Sequence, residues 1–200
     1  MKNTRPEGLS MTYALASPIN IAIDPFDKPQ VEITRYTMYR SLHELFPERP
    51  LPRKFNAIPF TPSLIPAYCA VVRTAFIKSP ELELYSQLKT SLGTRALVEE
   101  LTNIPGFLPE ASWMIFFNNE PLAGALSCRA QGCIFGQVKL VAVVPKFRRR
   151  GFGRHLVTKA LWNFHDRGLL HATFNVNNSN RSVIRFFRSM GFQVNAASRY

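Results

Sequence analysis

The residues best suited to chemistry lie in one segment, residues 143–156, with the sequence VVPKFRRRGFGRHL. An apolar run ends at Pro145, and a helical pattern begins near Gly151. Gly151 and Gly153 remove side chains from the turn, so consecutive backbone N–H groups can point outward at the positive end of a helix. Four arginines add positive charge around these groups: Arg148, Arg149, Arg150 and Arg154. The segment therefore predicts a pyrophosphate-binding site.

Two familiar nucleotide motifs do not fit this segment. A P-loop needs Lys followed by Ser or Thr after its second glycine, where this chain has Arg154 and His155. A dinucleotide-binding turn needs a third glycine at the position of Leu156 and an acid at the end of the next strand, residues 170–176, which has none. The alternative to an anion site is a glycine-bearing loop with a solvated basic run.

The pattern of Arg148, Gly151 and Gly153 resembles the central signature of the GNAT acyltransferases: Arg or Gln, two residues, Gly, one residue, Gly or Ala. The similarity continues at the spacings of the family's fifth strand and fourth helix: Val176, Asn180, Val183, Phe186, Phe187, Gly191 and Phe192. An apolar run before Pro145 looks like the family's fourth strand: Val141, Ala142 and Val143. The resemblance covers roughly residues 53–200.

The resemblance implies an α/β (α+β) fold of GNAT type, with a mixed, mostly antiparallel central sheet and helices on both faces. It implies that acetyl-CoA, as a co-substrate, lies in a V-shaped opening between the fourth and fifth strands, and it implies no metal. The implied cofactor-binding residues are Val141, Ala142, Val143, Arg148, Arg149, Arg150, Gly151, Phe152, Gly153, Arg154 and Asn180. The activity that it implies is acyl transfer to a primary amine by direct attack in a ternary complex.

The residues that move protons in many relatives are replaced here. Phe187 occupies the position of a tyrosine acid, and Gln137 and Asn175 occupy positions where different relatives keep a glutamate base. Asp166 is the only carboxylate after Glu120, so a carboxylate base would come from the earlier part of the chain. The candidates there are Glu81, Glu83 and Glu110, for each of which a solvated surface charge is the favoured interpretation. We predict catalysis by cofactor positioning with water-assisted deprotonation.

Hydrophobic periodicity predicts the elements that position these residues. The predicted order is strand, two helices, three strands, helix, strand, helix, with the second helix capped by Thr94. We assign residues 53–200 to the acetyltransferase domain and residues 1–52 to an N-terminal extension. Two extended stretches of that extension, 20–23 and 31–38, suit a β-hairpin. Because the chain after Phe192 is short, we expect the extension to complete the sheet or to cover the acceptor cleft.

The net charge of +12 is confined to one part of the chain. Residues 1–120 hold twelve basic and twelve acidic side chains, whereas residues 121–200 hold thirteen basic side chains and one acidic one. The positive electrostatic potential of such a segment attracts a polyphosphate cofactor, nucleic acid or anionic lipid alike. On the predicted last helix, a basic stripe is suited to the 3′-phosphate of coenzyme A, to a nucleic acid or to solvent: Arg181, Arg185 and Arg188.

The cysteine content and the length of the apolar runs bear on the location of the protein. Cys69, Cys128 and Cys133 are too few for a disulfide framework or a thiolate metal site, which favours a reducing cytoplasm. Cys128 and Cys133 could face each other across a hairpin, although ordinary buried thiols are the favoured interpretation. No stretch approaches the roughly 18 apolar residues of a membrane span, so no membrane partner is expected.

Three functions remain open from the sequence. The leading one is acetyl transfer from acetyl-CoA to the primary amine of a small molecule or of a protein, at its N-terminus or a lysine. The second is a catalytically weak or inactive acyl-CoA sensor or scaffold, which the missing tyrosine and glutamate favour. The third, a nucleic-acid-binding module, is disfavoured because no such motif is present and the glycines stay unexplained. The acceptor and the oligomeric state, including homodimer formation, are not determined.

Overall fold

A computed structural model describes residues 34–130 and 134–199 of the chain. Its seven strands are β1 (Thr34–Ser41), β2 (Phe55–Pro59), β3 (Trp113–Phe117), β4 (Glu120–Arg129), β5 (Phe135–Val143), β6 (His171–Asn177) and β7 (Gln193–Arg199). They form one sheet in the order β2-β3-β4-β5-β6-β1-β7. Neighbouring strands are antiparallel except β5 and β6, which are parallel.

Helices cover both faces of the sheet. They are α1 (Ile65–Phe76), α2 (Glu81–Leu84), α3 (Ser91–Asn103), α4 (Phe152–Asp166) and α5 (Arg181–Arg188). Gly124 of β4 lies under Tyr68 of α1, whereas its neighbour Ala125 packs in a cluster with Leu156 of α4. Successive strand residues point to opposite faces, so α1 and α4 lie on opposite sides of the sheet. The predicted fold class is confirmed.

Strand β1 comes from the predicted N-terminal extension. It lies between β6 and β7 and is antiparallel to both, and its Met38 is fully buried in the core beneath α4 and α5. Part of the extension thus completes the sheet, one of the two roles expected from the short segment after Phe192. Of the predicted hairpin, residues 20–23 lie outside the described residues, and residues 31–38 overlap β1. The boundary at residue 52 stays a prediction.

The start of α3 differs from the prediction. The cap is Thr90, whose hydroxyl accepts a hydrogen bond from the backbone N–H of Gly93 at 3.0 Å, so the helix begins three residues before Thr94. Thr94 lies in the first turn and donates its own hydroxyl to the carbonyl of Thr90. Periodicity also missed β7 and the single turn α2. Among the helices that the structure describes, none has the length and apolar character needed to cross a membrane.

Candidate active site

A cleft opens where β5 and β6 stop pairing. Their parallel pairing ends at Val138, opposite Phe174. At that point β5 bulges, because Leu140 and Val138 oppose consecutive residues of β4 and Lys139 between them opposes none. A bulge bends and twists the strand that contains it. Beyond it the two strands border a cleft of about 1030 Å³, with Lys139 on one side of its apex and Asn175 on the other.

The glycine turn forms one end of this cleft. Gly151 adopts φ +89° as the residue before α4, and no described atom beyond its two chain neighbours lies within 4 Å of where its Cβ would be. Arg149 is also left-handed, with φ +62°. The N–H of His155 reaches back to the carbonyl of Gly151, and the earlier N–H groups of the helix have no partner inside it. Unpaired amides, open space and a helix N-terminus together fit a phosphate group.

The Arg148 side chain is committed to protein carbonyl groups. Its Nε donates to the carbonyl of Val143 at 3.1 Å, and Nη2 donates to the carbonyl of Ala75 near the C-terminal end of α1. These contacts tie the turn to the end of β5 and to α1. We therefore interpret the Arg148 side chain as a support for the turn, and its predicted direct contact with the cofactor stays untested.

The other three arginines of the turn differ in their surroundings. Arg154 donates to the hydroxyl of Ser189 at 3.1 Å, which joins α4 to the end of α5. The Arg150 guanidinium lies 5.5 Å from the centre of the Phe147 ring. Arg149 and Arg150 are both exposed, and Arg149 also lines the cleft, where its positive charge is available to a phosphate.

The Glu81 carboxylate is buried in the cleft wall, with 7% of the residue exposed. Its Oε1 accepts hydrogen bonds from Asn180 Nδ2 at 2.9 Å and from the backbone N–H of Asn177 at 3.2 Å. Burial raises the pKa of the Glu81 carboxyl, and the hydrogen bonds from Asn180 and Asn177 oppose that rise. The interpretation of Glu81 as a solvated surface charge is therefore wrong. Sequence reasoning missed the burial because its partners lie on β6 and α5.

The other two carboxylate candidates are exposed. Glu83 accepts a hydrogen bond from Asn177 Nδ2 at 3.1 Å. Glu110 forms an ion pair with Arg167 at 3.0 Å, at the far end of α4, and does not line the cleft. For Glu110 the surface-charge interpretation agrees with the structure. Neither side chain has the buried position of Glu81.

Two positions singled out by the resemblance are engaged inside the protein. The Phe187 ring is buried and stacks on Phe174 at 3.7 Å between ring centres. The Asn180 side chain caps α5 by accepting from the N–H of Val183 at 3.4 Å, and it also donates to Glu81. The predicted contact of Asn180 with the cofactor arm stays a prediction.

Strand β1 supports two residues that line the cleft. Thr37 donates its hydroxyl to Asn175 Oδ1 at 2.9 Å, and Arg35 donates to the hydroxyl of Tyr85 at 2.9 Å. Sequence reasoning did not find these pairs. No local signal could have found the first, because 138 positions separate its members. Tyr85, by contrast, lies only two residues after Glu83, one of the carboxylate candidates.

The structure also bears on the predictions about metal ligands and cysteines. Within residues 34–130 and 134–199, no group of three or more His, Cys, Asp or Glu side chains is placed to hold a metal ion. Cys69 and Cys128 are free thiols, and burial raises the pKa of each. Cys133 lies outside the described residues, so its suggested position opposite Cys128 stays a prediction.

Comparison with known families decides the assignment. Residues 82–192 match the acetyltransferase (GNAT) family. The chain belongs to this family. Over 59 residues this GNAT protein is 36% identical to a mycothiol acetyltransferase of Thermobifida fusca (strain YX), a match that covers 30% of this chain and 18% of that protein.

Solved GNAT structures share the fold. A GCN5-related N-acetyltransferase from Sphaerobacter thermophilus aligns with a TM-score of 0.63 at 18% identity, over 83% of this chain and 50% of that one. The ribosomal-protein-S18-alanine N-acetyltransferase of Escherichia coli aligns at 0.56 and 17% identity, over 71% and 79% of the two chains. A PaiA N-acetyltransferase from Thermoplasma acidophilum, in complex with coenzyme A, aligns at 0.56 and 15% identity, over 73% and 99%. The GNAT protein described here thus spans half the length of the first of these.

Proposed function

We propose that this GNAT protein transfers an acetyl group from acetyl-CoA to a primary amine by direct attack in a ternary complex. One observation carries the proposal: a single cleft brings together the glycine turn, an open strand edge and a buried carboxylate. The acceptor is the amine of a small molecule or of a protein, at its N-terminus or a lysine. A cytoplasmic location belongs to the same proposal.

The cofactor half of the cleft, residues 141–154, would bind by its main chain. The first N–H groups of α4 lie beside the open space at Gly151, Arg149 adds charge where it lines the cleft, and the exposed Arg150 follows it in the turn. Beyond Val138 the edge of β5 is not paired with β6, so residues 141–143 can pair with an extended ligand as a further strand would. When bound, acetyl-CoA supplies its acetyl group as an activated thioester. Holding it in attacking geometry can lower the barrier by roughly 7–11 kcal/mol.

Within this proposal, Glu81 accepts the proton of the amine. The carboxylate lines the cleft, and its raised pKa brings it closer to the neutral range in which a general base works best. This assignment replaces our expectation of water-assisted deprotonation, because the geometry favours a side chain that is already held in position. Glu83 and Glu110 are exposed and serve as comparisons.

The names of the similar proteins do not select an acceptor. They refer to mycothiol, to an alanine of ribosomal protein S18 and, for a further fold neighbour, to an aminoglycoside. These molecules belong to three different chemical classes. The acceptor must therefore be identified from the cleft itself and by assay.

Two measurements test the proposal on the purified full chain. Acetyl-CoA and coenzyme A should raise the melting temperature, because a ligand that binds the native state stabilises it by about 2.7 kcal/mol at 100 times its Kd. A short oligonucleotide at matched charge should not. Thiol release should then appear with at least one member of a panel of amino acid amides, peptides, polyamines and aminoglycosides. No stabilisation by coenzyme A would reject the proposal, and stabilisation without thiol release would favour the sensor or scaffold.

A further inference from the structure

We propose that the acceptor carries a carbonyl oxygen on the carbon next to its amine-bearing carbon, and that Asn175 and Lys139 bind this oxygen. Such acceptors are α-amino carbonyl compounds, for example an amino acid amide or the N-terminus of a peptide. Thr37, on the N-terminal strand β1, orients the Asn175 amide. The inference rests on the proposed function and narrows its acceptor class.

Asn175 and Lys139 occupy the apex of the cleft from opposite strands. Each comes directly after the last parallel pair, Val138 with Phe174, and each lines the cleft and is half-buried. Phe174 and Val176 point into the core beneath α4 and α5, so Asn175 between them points to the opposite face of the sheet. That face carries α1 and the segment with Glu81. The Asn175 side chain therefore lies on the face of the sheet that carries Glu81, and Lys139 lines the cleft across the apex from it.

The orientation of the Asn175 amide is set by β1. Thr37 lies directly opposite Asn175 in the antiparallel register, and its hydroxyl donates to Oδ1 at 2.9 Å. The amide oxygen is thus directed toward Thr37, and the amide nitrogen with its two N–H groups is the other end, which a ligand can use. Lys139 also offers only donors, and within the described chain it has no ion-pair partner. The apex therefore favours an acceptor with an oxygen there.

Glu81 is placed to contact the amine of the same acceptor. Its carboxylate is fixed on the backbone N–H of Asn177, two residues beyond Asn175 on β6 and about 6.6 Å along the strand. An amine and a carbonyl oxygen on adjacent carbons are at most about 3.6 Å apart by their bond lengths. With one hydrogen bond of about 2.9 Å at each end, such an acceptor can reach the Glu81 carboxylate with its amine and the N–H groups of Asn175 and Lys139 with its carbonyl oxygen. An alkylamine would leave those donors unsatisfied.

The test compares acceptors matched in size. We expect kcat/KM for glycinamide and an alanine-led tripeptide to exceed that for propylamine and Nα-acetyl-lysine amide by at least about 10-fold, because a site built for a hydrogen bond discriminates against ligands that cannot form it. Asn175→Asp replaces the donor by an acceptor and should abolish this preference. Thr37→Val should weaken it, and Thr37→Ser, which keeps the hydroxyl, should retain it. Stabilisation by coenzyme A should be the same in all variants.

Two results would overturn the inference. The first is equal efficiency for amines that have a carbonyl group on the adjacent carbon and amines that do not. The second is a uniform loss for every acceptor in Asn175→Asp, which would assign these residues to the thioester. Titrating glycinamide and propylamine into the coenzyme A-loaded protein gives the same comparison as a ratio of affinities, without turnover. Absence of stabilisation by coenzyme A in the unmodified protein would instead count against the proposed function.

Discussion

The two halves of the cleft are built in different ways. The cofactor half consists of one continuous stretch, residues 141–154, and presents main-chain N–H groups at the start of α4. The proposed acceptor half consists of side chains from β1, α2, β5 and β6, and hydrogen bonds between distant parts of the chain hold those of β1, α2 and β6. A site made of backbone leaves a local sequence signal in its glycines, and a site made of assembled side chains leaves none.

The same contrast determines how each half responds to substitution. Main-chain groups cannot be removed by changing a side chain, so the cofactor half should lose affinity gradually as its exposed charges are removed. The acceptor half depends on single buried groups such as Glu81, and there one substitution should have a large effect.

The largest effect is expected from Glu81→Gln. Glutamine keeps the oxygen that accepts from Asn180 and Asn177 but cannot take up a proton, so kcat should fall by roughly 10² to 10⁴-fold. In the unmodified enzyme, activity should fall on acidification through a pKa above the usual glutamate value. Steady-state rates across pH provide the measurement. Glu83→Gln and Glu110→Gln are controls at exposed carboxylates. An unchanged kcat in Glu81→Gln would contradict its role as the base and favour water-assisted deprotonation instead.

Glu81→Gln should also change stability in a pH-dependent way. Because folding raises the pKa of this carboxyl, its contribution to stability is fully present below the ordinary glutamate pKa and is lost as the pH rises through the raised pKa. The variant should therefore melt at a higher temperature than the unmodified protein at neutral pH, and the gap should close in acid. A lower melting temperature at neutral pH would mean that the carboxylate hydrogen bonds outweigh its burial.

A second large effect is expected from Met38→Ala on β1. Met38 is fully buried between β6 and β7, and removing such a side chain should cost about 2–5 kcal/mol of the free energy of unfolding. Urea denaturation measures the loss. Leu92, 83% exposed on α3, is the control, and Leu92→Ala should change stability by less than about 0.5 kcal/mol. A loss of similar size in both variants would show that β1 contributes little to the core.

The smallest effect is expected at the glycine turn before α4. Arg149 and Arg150 are exposed, so the Arg149→Gln and Arg150→Gln double variant should weaken coenzyme A binding only a few-fold, and less at high salt. Arg148→Gln should mainly lower the melting temperature, since its side chain bonds the carbonyl groups of Val143 and Ala75. Calorimetric titration at two salt concentrations separates the two cases. A larger loss of affinity in Arg148→Gln would identify its side chain as a phosphate ligand.

Local patterns were sufficient for much of the fold. The turn before α4, the cap at Asn180 and the alternation in β6 depend on residues a few positions apart, and the structure has each of them. The pairing of β1 between β6 and β7 was not determined in this way, since nothing within Thr34–Ser41 specifies a partner more than 100 residues away. The start of α3 at Thr90 rather than Thr94 was a choice between two good caps.

The sequence by itself determined that this chain has a glycine-opened turn before a helix and that it resembles the GNAT acetyltransferases. Only the tertiary structure decided which carboxylate is buried, which arginine supports the turn, and which strand completes the sheet beside the cleft. Glycine conformations and helix termini are properties of neighbouring residues. The burial of Glu81 and the orientation of Asn175 depend on groups that only the folded chain brings together.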